Sequence, residues 1–263
     1  MSPMIQPTPY PEINVVLAEL IAGMQAILGE NLLGVYLYGS LAAGDFNPES
    51  SDIDFAAVTH EPIAEVELSA LQAMHARIAA IDSKWGYELE GSYFPKFSFR
   101  RHLTADARHP HLSRGGGLRV EFHDADWVLQ RHFLRESGLT LYGPAPDTLI
   151  DPVSPDEIRR ALAQLMENWW TPTLTDPARL DTPEYRAYAV LTMCRILFTL
   201  EHGTVASKPQ AGSWALKFLD AGHSAAIHKA LAWPADPHSA DLEEALALIR
   251  HTTEESQQYL VDD

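Results

Sequence analysis

A mixed α/β domain followed by an all-α helical bundle is the fold class this sequence predicts. Three observations carry that prediction. Apolar residues alternate with period two in several short runs before residue 150, interleaved with segments of helical spacing. Beyond residue 150 nearly every segment reads as helix. Between them, Gly143-Pro144-Ala145-Pro146 with Pro152 and Pro155 reads as a connector. At 263 residues the chain is long enough for two cores, so the expected domains are 1–150 and 151–263, the first a mixed sheet with flanking helices.

Taken in order, Val15, Val16, Leu20, Ile21, Met24, Ile27 and Leu28 recur at helical spacing and predict a helix over 12–29, with Gly29 as its stop. Residues 32–38 and 53–58 predict strands, and 64–82 an amphipathic helix. Tyr87 to Phe94 reads as a strand ended by Pro95. Leu118, Val120 and Phe122 alternate with Arg119, Glu121 and His123, a further strand, and 125–136 is expected to be helical. In the second half, helices are expected over 155–169, 183–202, 210–220, 222–232 and 239–260. His102, His109 and His111 do not have the spacing of a zinc site. With Gly115-Gly116-Gly117 close by, they are expected on a mobile loop able to cover the active site.

Composition excludes several functions. No apolar run approaches the ~20 residues that span a bilayer, and a proline-bearing N-terminus (Pro3, Pro7, Pro9, Pro11) lacks the basic start and apolar stretch of a signal peptide. The single cysteine, Cys194, can form no internal disulfide and suits a reducing cytoplasm; its place in a helical pattern makes it a packing residue. A net charge of −17 opposes nucleic acid and anionic membranes as partners and favours a polycation. A triphosphate would then bind only where basic residues reverse the field locally. A monomer is expected.

The motif richest in chemistry is Leu37-Tyr38-Gly39-Ser40 followed by Ser51-Asp52-Ile53-Asp54. It reads as a strand, a glycine-serine turn, and a second strand that opens with two acids. Residues two apart on a strand face the same way, so Asp52 and Asp54 project together. Paired carboxylates suit hard divalent cations, and Gly39 and Ser40 offer amides and a hydroxyl to a phosphate tail. The combination suggests Mg²⁺-dependent transfer of a nucleotide. A third acid is expected on a neighbouring strand, and alternation leaves Glu88, Glu90 and Glu121 all open. In the second half, Tyr185, Tyr188, Thr192 and Arg195 fall along one helix face, where the arginine can grip a triphosphate as a fork. Lys208, between Ser207 and Pro209 at a helix start, adds a cation and helix N-terminal amides.

The Gly39-Ser40…Asp52-x-Asp54 segment resembles the signature of polymerase-beta-type nucleotidyltransferases. Val190-Leu191-Thr192-Met193-Cys194-Arg195 and Ser207-Lys208-Pro209, with Trp214 beyond, resemble the carboxyl-terminal domain of aminoglycoside (streptomycin and spectinomycin) 3''-adenylyltransferases. The resemblance spans about Leu32 to Leu219. It implies a nucleotidyltransferase α/β domain followed by a helical bundle, with ATP as co-substrate and two Mg²⁺ ions. It implies transfer of AMP to a hydroxyl of a small polycationic antibiotic. It selects Glu90, within Leu89-Glu90-Gly91-Ser92, as general base and as a metal ligand alongside Asp52 and Asp54. Gly39, Ser40, Tyr188, Arg195, Ser207 and Lys208 would bind the nucleotide. Trp169, Trp170, Asp176, Asp181 and Glu184 lie where that family contacts its cationic acceptor. Where the family places a tyrosine against the nucleotide late in the chain, this sequence has Ala232-Trp233-Pro234. Two other functions fit the first motif, adenylylation of a protein hydroxyl and nucleotide sensing without catalysis. The second-half motifs disfavour the former, and the intact acids disfavour the latter.

Overall fold

A computed structural model describes residues 6–49, 51–81, 83–102, 107–115, 117–233, 235 and 241–260. Gly116 of the glycine run, Pro234, residue 82 of the expected 64–82 helix and residues 239–240 of the expected last helix lie outside them. The chain forms two compact units, Met1–Pro152 and Val153–Asp263.

The first unit is built on a six-stranded sheet. Its strands are β1 (Leu32–Leu37), β2 (Ile53–Thr59), β3 (Leu89–Pro95), β4 (Arg108–Leu112), β5 (Leu118–Phe122) and β6 (Leu139–Tyr142). Their order is β5-β4-β3-β2-β1-β6. Only β2 and β3 run parallel; the other pairs are antiparallel. Helices α1 (Pro11–Leu28) and α3 (Glu65–Ala79) cover one face, where Leu17, Leu20 and Met24 join Phe55, Leu71 and Tyr93 in a buried cluster. On the other face Tyr36, Ala56, Val58 and Phe94 pack with Phe99 of α5 (Lys96–Arg100) and with Trp127 and Leu134 of α6 (Asp126–Ser137). The alternation that buries Ala56, Val58 and Phe94 on this second face also sets Asp54 and Glu90 there, at its open end.

Several elements depart from the sequence expectations. The Gly39-Ser40 turn opens a short helix, α2 (Gly39–Ala43), and Tyr87 ends another, α4 (Lys84–Tyr87), so β3 begins only at Leu89. The stretch expected as a mobile loop contains β4, with His109 and His111 on it. Pro110 is tolerated there because β4 pairs with β3 only through His111 and Leu112, beyond the residue that lacks an amide proton. The segment Pro11–Asn31, with a mean hydropathy of 1.4, is long and apolar enough to cross a membrane by length and composition, contrary to the expectation that no run is. Its buried side, Ile13, Val16, Leu17, Leu20, Met24 and Leu28, is that of a core helix.

One buried histidine makes the first unit acid-sensitive. His75 of α3 lies under the sheet, its Nε2 hydrogen-bonded to the Tyr93 hydroxyl at 2.6 Å, while Nδ1 is buried without a partner among the described residues. Burial pushes its pKa down from 6.5 to about 4. A base depressed in the folded state contributes stability above its unfolded value, and that contribution is lost as pH falls through the folded one. Between pH 7 and 4 the unit should lose about 3 kcal/mol through this residue. Urea unfolding at both pH values should show that loss shrink by the same amount in His75→Leu.

In the second unit α8 (Pro183–His202) is central, contacted by α7 (Pro155–Leu165), α9 (Lys208–Phe218), α10 (Ser224–Ala232) and α11 (Leu242–Ser256). Ser154 and Glu157 cap α7 reciprocally, as Asp241 and Glu244 cap α11. Gly203, at φ 67°, ends α8. Cys194 is fully buried and its thiol is pushed up to about 12 by burial, the setting of a packing residue.

Candidate active site

Parallel pairing places Asp54 of β2 directly beside Glu90 of β3. Gly39 sits against Asp54: a Cβ built on it would meet Asp54 Oδ2 at 1.8 Å, and its φ of +66° is one that only glycine adopts freely. The neighbouring Ser40 Oγ is buried and has no hydrogen-bond partner among the described residues. A buried hydroxyl one residue from the glycine that touches Asp54 is left for a group that the protein does not supply.

Glu90 is half-exposed, and its carboxyl is raised by burial and then by the Asp52 charge, opposed by the Arg114 backbone amide and guanidinium. A carboxylate made more basic in this way suits proton abstraction. Alternation left Glu88 and Glu90 on one face, and the structure separates them. Glu88 caps the end of α4 and forms an ion pair with Arg114 at 2.5 Å.

Two residues of this site were not singled out in the sequence. The buried Tyr38 hydroxyl is held well above its ordinary pKa by burial and by Asp54, Glu90, Asp126 and Asp52 in turn. Asp126, in the first turn of α6, is pushed up to about 6 by burial and by Asp124. An acid at a helix start reads as an ordinary capping charge in a sequence; only the packing of α6 reveals its surroundings.

Among the described residues no three His, Cys, Asp or Glu side chains converge closely enough to hold a metal ion by themselves. Two carboxylates still fit Mg²⁺, which binds through one or two carboxylates and takes its other ligands from substrate phosphates and water. The orphaned Ser40 hydroxyl beside them agrees with a phosphate arriving there.

In the second unit, α8 brings Tyr185 and Tyr188 to a ring separation of 5.4 Å, and Lys208 Nζ lies over the Tyr188 ring at 4.1 Å. Arg195 is half-buried, and among the described residues no Asp or Glu pairs with it. Thr192 on the same face has a buried hydroxyl without a partner among the described residues. Ser207 caps α9, its Oγ accepting from the Gln210 amide at 3.3 Å.

The acceptor residues divide. Trp170 is 2 % exposed and stacks on Tyr188 at 6.3 Å, so it is a core residue and not a substrate contact. The π-helical turn Met166–Trp170 rotates it inward. Trp169 is exposed, with the Arg179 guanidinium 3.7 Å from its ring centre. Asp181 and Glu184 are exposed, whereas Asp176 caps the following turn through Ala178.

Family comparisons agree with this geometry. Residues 18–90 match the model of the nucleotidyltransferase domain, and 148–258 that of the aminoglycoside adenylyltransferase C-terminal domain. An aminoglycoside (3'') (9) adenylyltransferase of Shigella flexneri is 26% identical over 238 residues, covering 83% of this chain and 84% of the relative. A spectinomycin 9-adenylyltransferase of Staphylococcus aureus is 24% identical over 209 residues, covering 75% of each. Among solved structures, a spectinomycin adenyltransferase from Enterococcus faecialis, crystallised with ATP and spectinomycin, shares the fold at a TM-score of 0.73. It is 17% identical, with 92% of this chain and 98% of that one covered.

Fold and site together define a nucleotidyltransferase, an enzyme of the adenylyl-transferring kind. Two matched domains in the right order narrow this further. The chain joins a nucleotidyltransferase domain to an aminoglycoside adenylyltransferase C-terminal domain, and the relatives named above are aminoglycoside and spectinomycin adenylyltransferases.

Proposed function

We propose that the enzyme transfers AMP from ATP to a hydroxyl of an aminoglycoside-type polycation such as streptomycin or spectinomycin, releasing pyrophosphate. The observation that carries this reading is the register pairing of Asp54 with Glu90 on adjoining strands, with Gly39 packed against Asp54 at the start of α2. Gly39 and Ser40 cradle the phosphates. Asp52 and Asp54 hold two Mg²⁺ ions, which supply charge neutralisation on the triphosphate. Glu90 takes the proton from the acceptor hydroxyl as its oxygen bonds to the α-phosphorus, and the bond to the departing pyrophosphate breaks. Arg195 and Lys208 balance charge on the leaving group, with Ser207 and Tyr188 beside them. Trp169, Asp176, Asp181 and Glu184 remain candidates for the cationic acceptor, in keeping with the net charge of −17.

The test is pyrophosphate release from purified protein with ATP and Mg²⁺, with and without each drug, beside Glu90→Gln. Release should require both drug and Glu90, with the variant down at least about a hundredfold. Drug-independent thermal stabilisation by ATP, without release, would reassign the acceptor to another hydroxyl or leave a nucleotide sensor.

A further inference from the structure

Behind Glu90 runs a line of hydrogen bonds whose direction is determined by its far end. His123 Nδ1 lies 3.2 Å from the carbonyl oxygen of Glu121. A carbonyl only accepts, so that nitrogen carries a proton. His123 is buried, with a pKa pushed down to about 3 chiefly by burial, so the ring is neutral and its Nε2 must accept. Among the described residues the hydrogen-bond partner of Nε2 is Ser92 Oγ, at 2.8 Å, and the serine therefore donates its single proton to His123. The same oxygen lies 2.8 Å from His111 Nδ1. Its proton spent, it can only accept there, which makes His111 the Nδ1-protonated tautomer. The opposite direction would set two lone pairs against each other at Glu121.

His111 Nε2 is thus a bare acceptor, and it faces Glu90 Oε1 across 4.0 Å. Both side chains are partly open, 18 % and 36 % exposed. Two acceptors at that separation have no hydrogen bond to make with each other. A donor placed between them, a hydroxyl or an ammonium, satisfies both.

We propose that His111 is a substrate-positioning residue whose Nε2 accepts a hydrogen bond from a hydroxyl or ammonium group of the acceptor beside Glu90, with Ser92 and His123 holding the tautomer that makes this possible. The assignment rests on the reading of Glu90 as the general base. It gives β4 a purpose: the strand carries His111 to the register position opposite Ser92. A polyhydroxylated polycation is rich in the required donors, whereas ATP at neutral pH offers few.

Two measurements test it. In ¹⁵N-histidine-labelled wild-type protein, the His111 ring should show the Nδ1-protonated pattern by NMR, and Ser92→Ala should release it to the other tautomer. In kinetics, His111→Phe should raise the KM for the antibiotic about tenfold or more while leaving the KM for ATP unchanged. His111→Gln, whose amide oxygen reaches the Nε2 position, should restore most of the loss. An Nε2-protonated His111, or an unchanged antibiotic KM in His111→Phe, would overturn the proposal. Absence of drug modification by the wild type would sink the functional reading instead. The tautomer result, and the response of the His111 signal to added spectinomycin, still decide this inference in that case.

Discussion

Asp54→Asn should lower adenylyl transfer by about a thousandfold or more while leaving the fold intact or slightly more stable. The first half follows from the loss of a formal charge at the metal seat, where an ion contributes several kcal/mol of transition-state stabilisation and each 1.36 kcal/mol is a factor of ten. The second follows from the surroundings. Asp54 lies with Asp52, Glu90 and Asp126 around the Tyr38 hydroxyl, so like charges crowd the site until a cation arrives. Removing one relieves that crowding. Steady-state pyrophosphate release and thermal unfolding without Mg²⁺, measured on the same preparation, should therefore move in opposite directions. A variant that turned over like the wild type would remove Asp54 from the mechanism. Chelation by EDTA should abolish the wild-type reaction and leave the melting temperature of the ATP-free protein unchanged.

Gly39→Ala should damage both properties together. The added Cβ would stand 1.8 Å from Asp54 Oδ2, on a backbone at φ +66°. The left-handed conformation alone costs about 1–2 kcal/mol for alanine, and the overlap adds to it, so destabilisation of about 2–4 kcal/mol is expected. Turnover should fall about a hundredfold or more, since displacing Asp54 by a fraction of an ångström misaligns the metal seat. Adding Asp54→Ala removes the overlapping atoms. The double variant should recover a large part of the stability and none of the activity, and that non-additivity identifies the contact as the cause. Chemical denaturation of the four proteins in the cycle measures it. Additive losses would show that Gly39 matters for its backbone alone.

Much of this site was legible before any coordinates. Period-two alternation already sets Asp52 and Asp54 on one face, and three- and four-residue steps align Tyr188, Thr192 and Arg195. Both are local regularities; Tyr188, Thr192 and Arg195 do share α8, whereas β2 starts at Ile53, so Asp54 is on the strand and Asp52 lies just before it. The shift from mixed to helical patterning near residue 150 is local in the same sense, and the two compact units part at Pro152. The choice among Glu88, Glu90 and Glu121 was not local. It depended on β3 starting at Leu89 and on Arg114, twenty-six residues on, pairing with Glu88.

The misreadings share one cause. The family resemblance sets Trp170 among the acceptor contacts; in the structure it lies in a π-helical turn and is buried. The histidine-rich stretch reads as a loop because a proline and the run Gly115-Gly116-Gly117 lie close by. There β4 exists because β3 and β5 offer it hydrogen-bonding edges and because Phe94 and Trp127 make an aromatic bed for His109 and His123. Patterning along the chain thus decided which elements form and which way their side chains alternate, since both depend on neighbours a few residues away. Tertiary contact alone decided which acid pairs with Arg114, which tryptophan is core and which hydrogen bonds His111 makes. Each of these depends on desolvation and on hydrogen-bond partners that lie tens of residues apart in the chain.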